Sequence, residues 1–549
     1  MRAFGSSRLI VALAALTAMM GAARADIVIS KKPTSNMNCS GGICNATATD
    51  AVLNVKDLTK MLASSDVKVF AEGLATDITV SDSFSWVSAN RLTLGAYGSL
   101  NVKAAITVAG TGGLTIATNL AATGGLFRLV GVGKISFWDT SSSLIVNNTP
   151  YALIDNLPAL INAIATNPAG AYALSNDYDA HQDGSYPFSP IPTTFTGVFE
   201  GLGNAIGNLN IYNPNDVNDK VALFYAVGTG GQIADLNLVG ISMQVRTASM
   251  GTLAGTNNGT ITHSSATGAM STYAGYAGGL VYDNEGTITR SHAAVVASGV
   301  YAGGLVTQNG GTISFSDAAG SVSAADIAGG LVAVNDGAIT DSYSQGDATI
   351  FFLASAAGGL VGLLDKAGYV ERCFATGAVQ WSESTPAKGK FAGQRNSPAK
   401  KDGIALGGLV GYSNGGVYYS YAIGSVTGRT SRDFISGAGG IVGRAYLGSI
   451  FQSYALGRVR MNTKRDKGGV IGYDLEPLEY DLVFWNLDTT GVGDPTKGAG
   501  NVYKEKGLRG LNEKNFRQRT AEVLDPSVWA ENPNINNGYP YLLANPPPQ

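Results

Sequence analysis

Apolar and polar residues alternate in short runs along most of this chain, and glycine pairs punctuate the runs at nearly regular intervals. Gly278-Gly279-Leu280-Val281, Gly303-Gly304-Leu305-Val306, Gly329-Gly330-Leu331-Val332, Gly358-Gly359-Leu360-Val361-Gly362, Gly407-Gly408-Leu409-Val410-Gly411, Gly439-Gly440-Ile441-Val442-Gly443 and Gly468-Gly469-Val470-Ile471-Gly472 are versions of one phrase, and Gly251-Thr252-Leu253-Ala254-Gly255 is a degenerate first copy. Their central residues recur every 25 to 32 positions, with one interval of 49. A unit that short cannot bury a core alone, so each copy must pack on its neighbours.

After each phrase come a turn and a second apolar segment, as in Asn258-Gly259-Thr260-Ile261, Glu285-Gly286-Thr287-Ile288 and Asp336-Gly337-Ala338-Ile339. Such pairs predict strand, turn, strand, with Gly and Asn taking the positive φ of a tight turn. A third element follows, with Ser264-Ser265-Ala266, Ser291-His292-Ala293, Ser316-Asp317-Ala318, Ser342-Tyr343-Ser344, Cys373-Phe374-Ala375, Ser420-Tyr421-Ala422 and Ser453-Tyr454-Ala455. Three short strands per repeat predict one coil of a β-solenoid; a helical or leucine-rich repeat would need longer apolar stretches free of glycine. The expected fold is all-β, a right-handed parallel β-helix with short helical and aromatic end caps. Coils in register place like above like, so Leu, Ile and Ala line the interior and the Tyr, Phe and His of the third element form a column. Alternation counted from Ile339 would turn Asp341 and Tyr343 toward the core, so a corner is expected near Ser342. Asn257, Asn284, Asn309 and Asn335 would stack as well; they are read first as turn formers, with an amide ladder as the alternative.

These phrases resemble the GLUG motif, a short Gly-Leu-hydrophobic-Gly repeat of large bacterial surface and secreted proteins. The segment from Phe195-Thr196-Gly197-Val198-Phe199 through Leu209-Asn210-Ile211 to Val221-Ala222-Leu223-Phe224 looks like the lead into such an array. The N-terminal third, with Leu53-Asn54-Val55-Lys56-Asp57-Leu58, Ser85-Trp86, Leu92-Thr93-Leu94 and Ile106-Thr107-Val108-Ala109-Gly110, is similar to the filamentous-haemagglutinin-like domain of exported adhesins. Asn167-Pro168-Ala169-Gly170 matches three of the four residues of the Asn-Pro-Asn-Gly signature of such domains. The resemblance implies an adhesin-like protein, secreted or on the cell surface, and raises an outer-membrane export partner.

The expected organisation is a signal peptide over 1–25, a haemagglutinin-like β-helix region with its cap over 26–150, a helical and loop connector over 151–194, lead-in coils over 195–250, the repeat solenoid over 251–472 with an inserted loop at 381–402, and a C-terminal cap with a Pro-rich end over 473–549. Arg2 and Arg8, an apolar stretch over 9–23 and Ala23-Arg24-Ala25 make the secretory signal, with cleavage between Ala25 and Asp26. Leu58, Met61 and Leu62 predict a short helix over the open end of the first coil, where a bare edge would invite pairing. Leu153, Leu157, Leu160, Ile161 and Ile164 predict a second on the flank. No later segment reads as a transmembrane helix.

Glycine is 73 of 549 residues, about twice the norm, and charged residues are 14%, about half of it, which is a solenoid's composition more than an ordinary enzyme's. The net charge of −3 gives no general attraction to nucleic acid. Cys39 and Cys44 bracket Ser40-Gly41-Gly42-Ile43, a loop able to close as a disulfide in an exported chain. Cys373 stands where other coils have Ser and is read as a packed, inert thiol.

Candidate chemistry is sparse. Of three histidines, His263 and His292 occupy repeat positions filled elsewhere by other side chains, and His181 lies apart. There is no zinc-binding His-Glu-x-x-His, no phosphate loop and no Gly-x-Ser-x-Gly elbow on a strand-to-helix turn. Asp177, Asp179 and Asp183 form a weak calcium candidate, because the twelfth position from Asp177 is Phe188 where a helix-loop-helix site needs Glu. The same carboxylates are the only start for a polysaccharide lyase or glycoside hydrolase, which needs a spaced pair. In the inserted loop, Lys388, Lys390, Arg395, Lys400 and Lys401 are the candidate partner contact. The reading is therefore a non-enzymatic β-solenoid without a cofactor, an adhesin-like or matrix structural protein binding a glycan or protein ligand. The alternatives are a polysaccharide-cleaving enzyme and a passenger component of a larger surface assembly.

Overall fold

The computed structural model describes residues 26–122, 124–352, 355–382, 402–429, 435–462, 466–476 and 479–548. Residue Ala25, the rest of the signal segment and the five cations of the inserted loop lie outside them. The chain forms two compact units, one of the residues up to 133 with Ile145–Asn148, the other of 134–144 with 149–549.

In the first unit, Asp26–Ser30 lies between Ala51–Asn54 and Asp77–Val80, followed by Leu100–Val102 and Phe127–Leu129, all parallel. A second ladder joins Ile43–Ala46, Val67–Ala71, Arg91–Ala96 and Gly113–Ala117. Period-two patterning decides which side chains turn inward: Ile27, Ile29, Ile78, Val80, Leu92, Leu94, Leu114 and Ile116 are all fully buried. The helix α1 (Val55–Leu62) leaves the edge strand Ala51–Asn54, its N-terminus capped by Asn54 and its Leu58 and Leu62 buried. A short helix therefore lies where the spacing of Leu58, Met61 and Leu62 predicts one. The hairpin Met37–Ser40 with Ile43–Ala46 sets Cys39 opposite Cys44, and the two form the disulfide, with Cα atoms 4.0 Å apart.

In the second unit the repeats are successive parallel coils, an arrangement that fits a β-helix. One nine-stranded ladder runs Phe224–Val227, Ala254–Asn257, Val281–Asn284, Val306–Asn309, Val332–Asn335, Val361–Leu364, Val410–Ser413, Val442–Ala445 and Ile471–Asp474. A second carries Gln232–Ala234, Thr260–Thr262, Thr287–Thr289, Thr312–Ser314, Ala338–Thr340, Tyr369–Glu371, Gly416–Tyr418 and Ser449–Phe451. Leu253, Leu280, Leu305, Leu331, Leu360 and Leu409 stack inside, beside columns of Ile261, Ile288, Ile313 and Ile339 and of Ala266, Ala293 and Ala318.

The second glycine of each phrase is required by close approach. A Cβ on Gly279 would lie 1.8 Å from the Gly304 carbonyl oxygen, and one on Gly304 2.0 Å from that of Gly330. The turn glycines Gly259, Gly286, Gly311 and Gly337 obey the same rule, with the previous coil's glycine carbonyl 2.1 to 2.2 Å from the would-be Cβ. This corrects the expectation that they supply positive φ. The left-handed residues sit instead at the next corner, at His263, Arg290, Phe315, Asp341, Arg372, Tyr419 and Gln452, with φ between +41° and +52°. That corner breaks the strand alternation beside Ser342, where a corner was expected.

Two polar columns hold the coils in register. Asn257 donates through Nδ2 to Asn284 Oδ1, Asn284 to Asn309 and Asn309 to Asn335, each at 2.7 Å and with all four residues buried. The amide ladder thus forms, although turn formation was the first reading. At the left-handed corner the N–H of each Ser donates to the next coil's hydroxyl, through Ser264, Ser291, Ser316 and Ser342, at 3.1 to 3.3 Å. Cys373 continues the column, accepting from Ser342 N at 3.4 Å while its own N–H donates to Ser420.

The stretch 151–194 is more than a connector. Thr149–Ile154 pairs with Ala171–Leu174, which pairs in turn with Val198–Glu200, so it belongs to the stack. The helix α2 (Leu157–Thr166) between them buries Leu157, Leu160 and Ile164, and the Tyr172 hydroxyl donates to the carbonyls of Ala163 and Asn167 at its end.

Candidate functional site

The outer wall of the second unit carries a groove of about 300 Å³. Four strands build it: Asn210–Asn213, Asn237–Val245, Ser265–Ser271 and His292–Gly303. Their register sets Tyr212, Gln244, Ser271 and Ser298 side by side on the outer face, because Ile211, Met243, Met270 and Ala297 between them turn inward. Beyond these strand ends the chain turns, and the turns form the groove's other bank. Tyr273 N donates to the Arg246 carbonyl at 2.9 Å, and Thr272 Oγ1 donates to the same oxygen at 3.1 Å. Arg246 lies 5.8 Å above the Tyr273 ring and pairs with Asp216 at 3.0 Å. Asn213 is held by donation to the Pro187 carbonyl.

The lining thus includes two tyrosine rings, two carboxamides and three hydroxyls beside Pro214, Val245 and the ion-paired Arg246, with Tyr212 48% exposed. Aromatic faces beside convergent hydrogen-bonding groups suit a ligand with both apolar C–H faces and hydroxyls. No sequence motif marks this site, since its residues come from strands about 30 positions apart and share no local signature. The outward tyrosine in Asn210-Ile211-Tyr212-Asn213 was the one available signal.

The calcium candidates do not converge. Asp177 accepts from Lys134 Nζ at 2.6 Å and from Ala205 N. The Asn208 amide and the His181 N–H hold Asp179 below the usual carboxylate range. Asp183 accepts from the hydroxyls of Tyr178 and Tyr186. Each carboxylate has its own partners, and among the described residues no group of three or more His, Cys, Asp or Glu could hold a metal ion.

The acids that burial does perturb are others. Glu200, outward on its strand but with Oε2 sealed and without a hydrogen-bond partner, is pushed up to about 8 by desolvation and by the nearby Asp235 charge. Desolvation lifts Asp235, which holds a left-handed corner at φ +53°, to about 7. Sequence pattern flags neither, because a buried outward Glu looks like any surface Glu in an alternating strand. Burial pushes the Cys373 thiol up to about 12, in keeping with an inert group. His292 Nδ1 meets Asp317 at 2.6 Å, and that bond raises the imidazole above its ordinary value.

The third-element column is continuous. Tyr343, Phe374, Tyr421 and Tyr454 stack with centroids 4.7, 4.9 and 5.0 Å apart. It points away from the coil interior, yet Phe374, Tyr421, Tyr454 and Phe484 are fully buried, because Phe516 of α3 (Glu513–Val523), Trp529 and Leu542 cover them.

Nearly all-β with long parallel ladders is the class this structure defines. No family model matches the chain. Over 120 residues it is 35% identical to halomucin of Haloquadratum walsbyi, a stretch that is 20% of this chain and 1% of that protein, so the chain spans about one hundredth of that curated relative. Among solved structures, one described as IgA1 protease superposes with a TM-score of 0.33 and 17% identity, over 60% of this chain and 26% of that one. A candidate immunoglobulin A1 protease from Bacteroides ovatus gives 0.27 and 15%, over 72% and 93%. Both TM-scores are too low to bear on function. No helix among the described residues is long and apolar enough to cross a membrane.

Proposed function

We propose that this chain is a non-enzymatic, right-handed β-solenoid of the GLUG-repeat, haemagglutinin-like kind, secreted or displayed at the cell surface after cleavage between Ala25 and Asp26, and that it acts as an adhesin-like binding protein whose groove seats a saccharide. The observation that carries this reading is the groove lining, with Tyr212 and Tyr273 beside Asn213, Gln244, Ser271, Thr272 and Ser298 on a wall held rigid by paired strands. What supports binding over cleavage is the placement of the acids. No carboxylate lines the groove, and Glu200 and Asp235 belong to a different ladder and its corner. A glycosidase needs two carboxyl groups flanking one bond.

The test is a glycan array probed with the exported protein and with Tyr212→Ala and Tyr273→Ala. Saccharide binding lost in both variants, with no reducing sugar released, is the expected result; release abolished by Glu200→Gln or Asp179→Asn would replace the binding reading with the enzymatic one. Fractionation of living cells checks the location, which a purely cytoplasmic pool would refute.

A further inference from the structure

The groove is one end of a longer feature. In-register pairing continues its column from Ser298 to Ser323, then to Thr349 and Gln380, with Gln380 Nε2 donating to Thr349 Oγ1 at 3.1 Å. Gln244, Ser271, Ser298, Ser323, Thr349 and Gln380 therefore make a file of uncharged hydroxyls and amides, one per coil, all at least partly exposed. Beside it, two residues earlier on each strand, Ser242, Ala269 and Val296 form a second exposed file, with Val296 52% exposed. Every rung repeats at the strand spacing of ~4.8 Å. The groove end alone brings an aromatic pair and an ion pair, Arg246 with Asp216.

We infer that this face is a track for a linear, neutral polysaccharide lying along the stack of coils, with its end seated in the groove. An equatorially linked hexopyranose unit is about as long as the coil spacing, so each ring of such a chain meets an equivalent rung. Its C–H face rests on Ala269 and Val296, and its hydroxyls exchange hydrogen bonds with Gln244, Ser271, Ser298, Ser323 and Thr349. The absence of charge along both files from Gln244 to Ser323 selects neutral over anionic chains, because an anionic sugar would lose hydration without a cation to replace it. This deepens the saccharide-binding reading and depends on it.

The experiment is calorimetric titration of the full exported chain with β-1,4-linked oligomers of glucose, mannose and N-acetylglucosamine, one to six units long, and with β-1,4-linked mannuronate oligomers of the same lengths. For at least one neutral series Kd is expected to fall about tenfold or more between two and five units, a gain of ~1.4 kcal/mol per decade. Ser323→Lys, and separately Thr349→Lys, should abolish the gain from the longer oligomers while leaving binding of the dimer and the melting temperature unchanged; Tyr212→Ala should weaken every length. Binding of short sugars without a length dependence, or a preference for the anionic oligomers, overturns the track while the groove reading survives. No binding in any series overturns both.

Discussion

Removing one member of the amide ladder tests how the coils are held in register. Asn309 accepts from Asn284 and donates to Asn335, and its Nδ2 also reaches the Gly311 carbonyl at 3.3 Å. In Asn309→Ala the Asn335 Oδ1 and one Asn284 N–H lose their partners in a site where Asn309 is only 2% exposed. Orphaning a buried polar group costs about 1–3 kcal/mol, so two give roughly 2–6 kcal/mol. Asn335 stands at the end of the ladder, and Asn335→Ala leaves only one Asn309 N–H without its partner, so about half that loss is expected. Solenoids open coil by coil, so the assay pairs denaturant unfolding by circular dichroism with amide hydrogen exchange across residues 281–339. Protection should fall around the Asn309 coil first. A cost below about 1 kcal/mol, or equal costs for the two variants, would mean that the asparagines serve only as turn formers and that the ladder argument is wrong.

Two further predictions follow from burial. Glu200 rises from an ordinary 4.5 to about 8 on folding, so the folded state binds the proton more tightly; its stabilising contribution is complete below about 4.5 and is lost as pH climbs through about 8. Melting temperature should therefore fall between pH 5 and 9 in the native chain and fall less in Glu200→Gln, and parallel curves in differential scanning fluorimetry would contradict the assignment. Trp529 is 5% exposed and packs on Tyr421 and Tyr454, so Trp529→Ala should cost about 3–5 kcal/mol and raise binding of a hydrophobic dye; an unchanged dye signal would show that the C-terminal segment does not shield the aromatic column.

The repeat by itself determined that three short strands recur, that Leu, Ile and Ala stack inward, and that the chain bends beside Ser342, because each of these follows from spacing and period-two patterning within about 30 residues. It also placed α1 and the Cys39–Cys44 pair, both local features. The tertiary structure alone decided the rest. Glycine at 259, 286, 311 and 337 answers to a carbonyl in the previous coil, a contact invisible to turn statistics. The fate of the aromatic column depended on a segment more than 60 residues beyond Tyr454, which turns an outward file of rings into a second core. The groove exists only where strands distant in sequence lie in register, and Glu200 is desolvated by neighbours that its own alternating strand does not name. Local pattern fixes which way a side chain points, whereas what it meets there is set by chain from elsewhere.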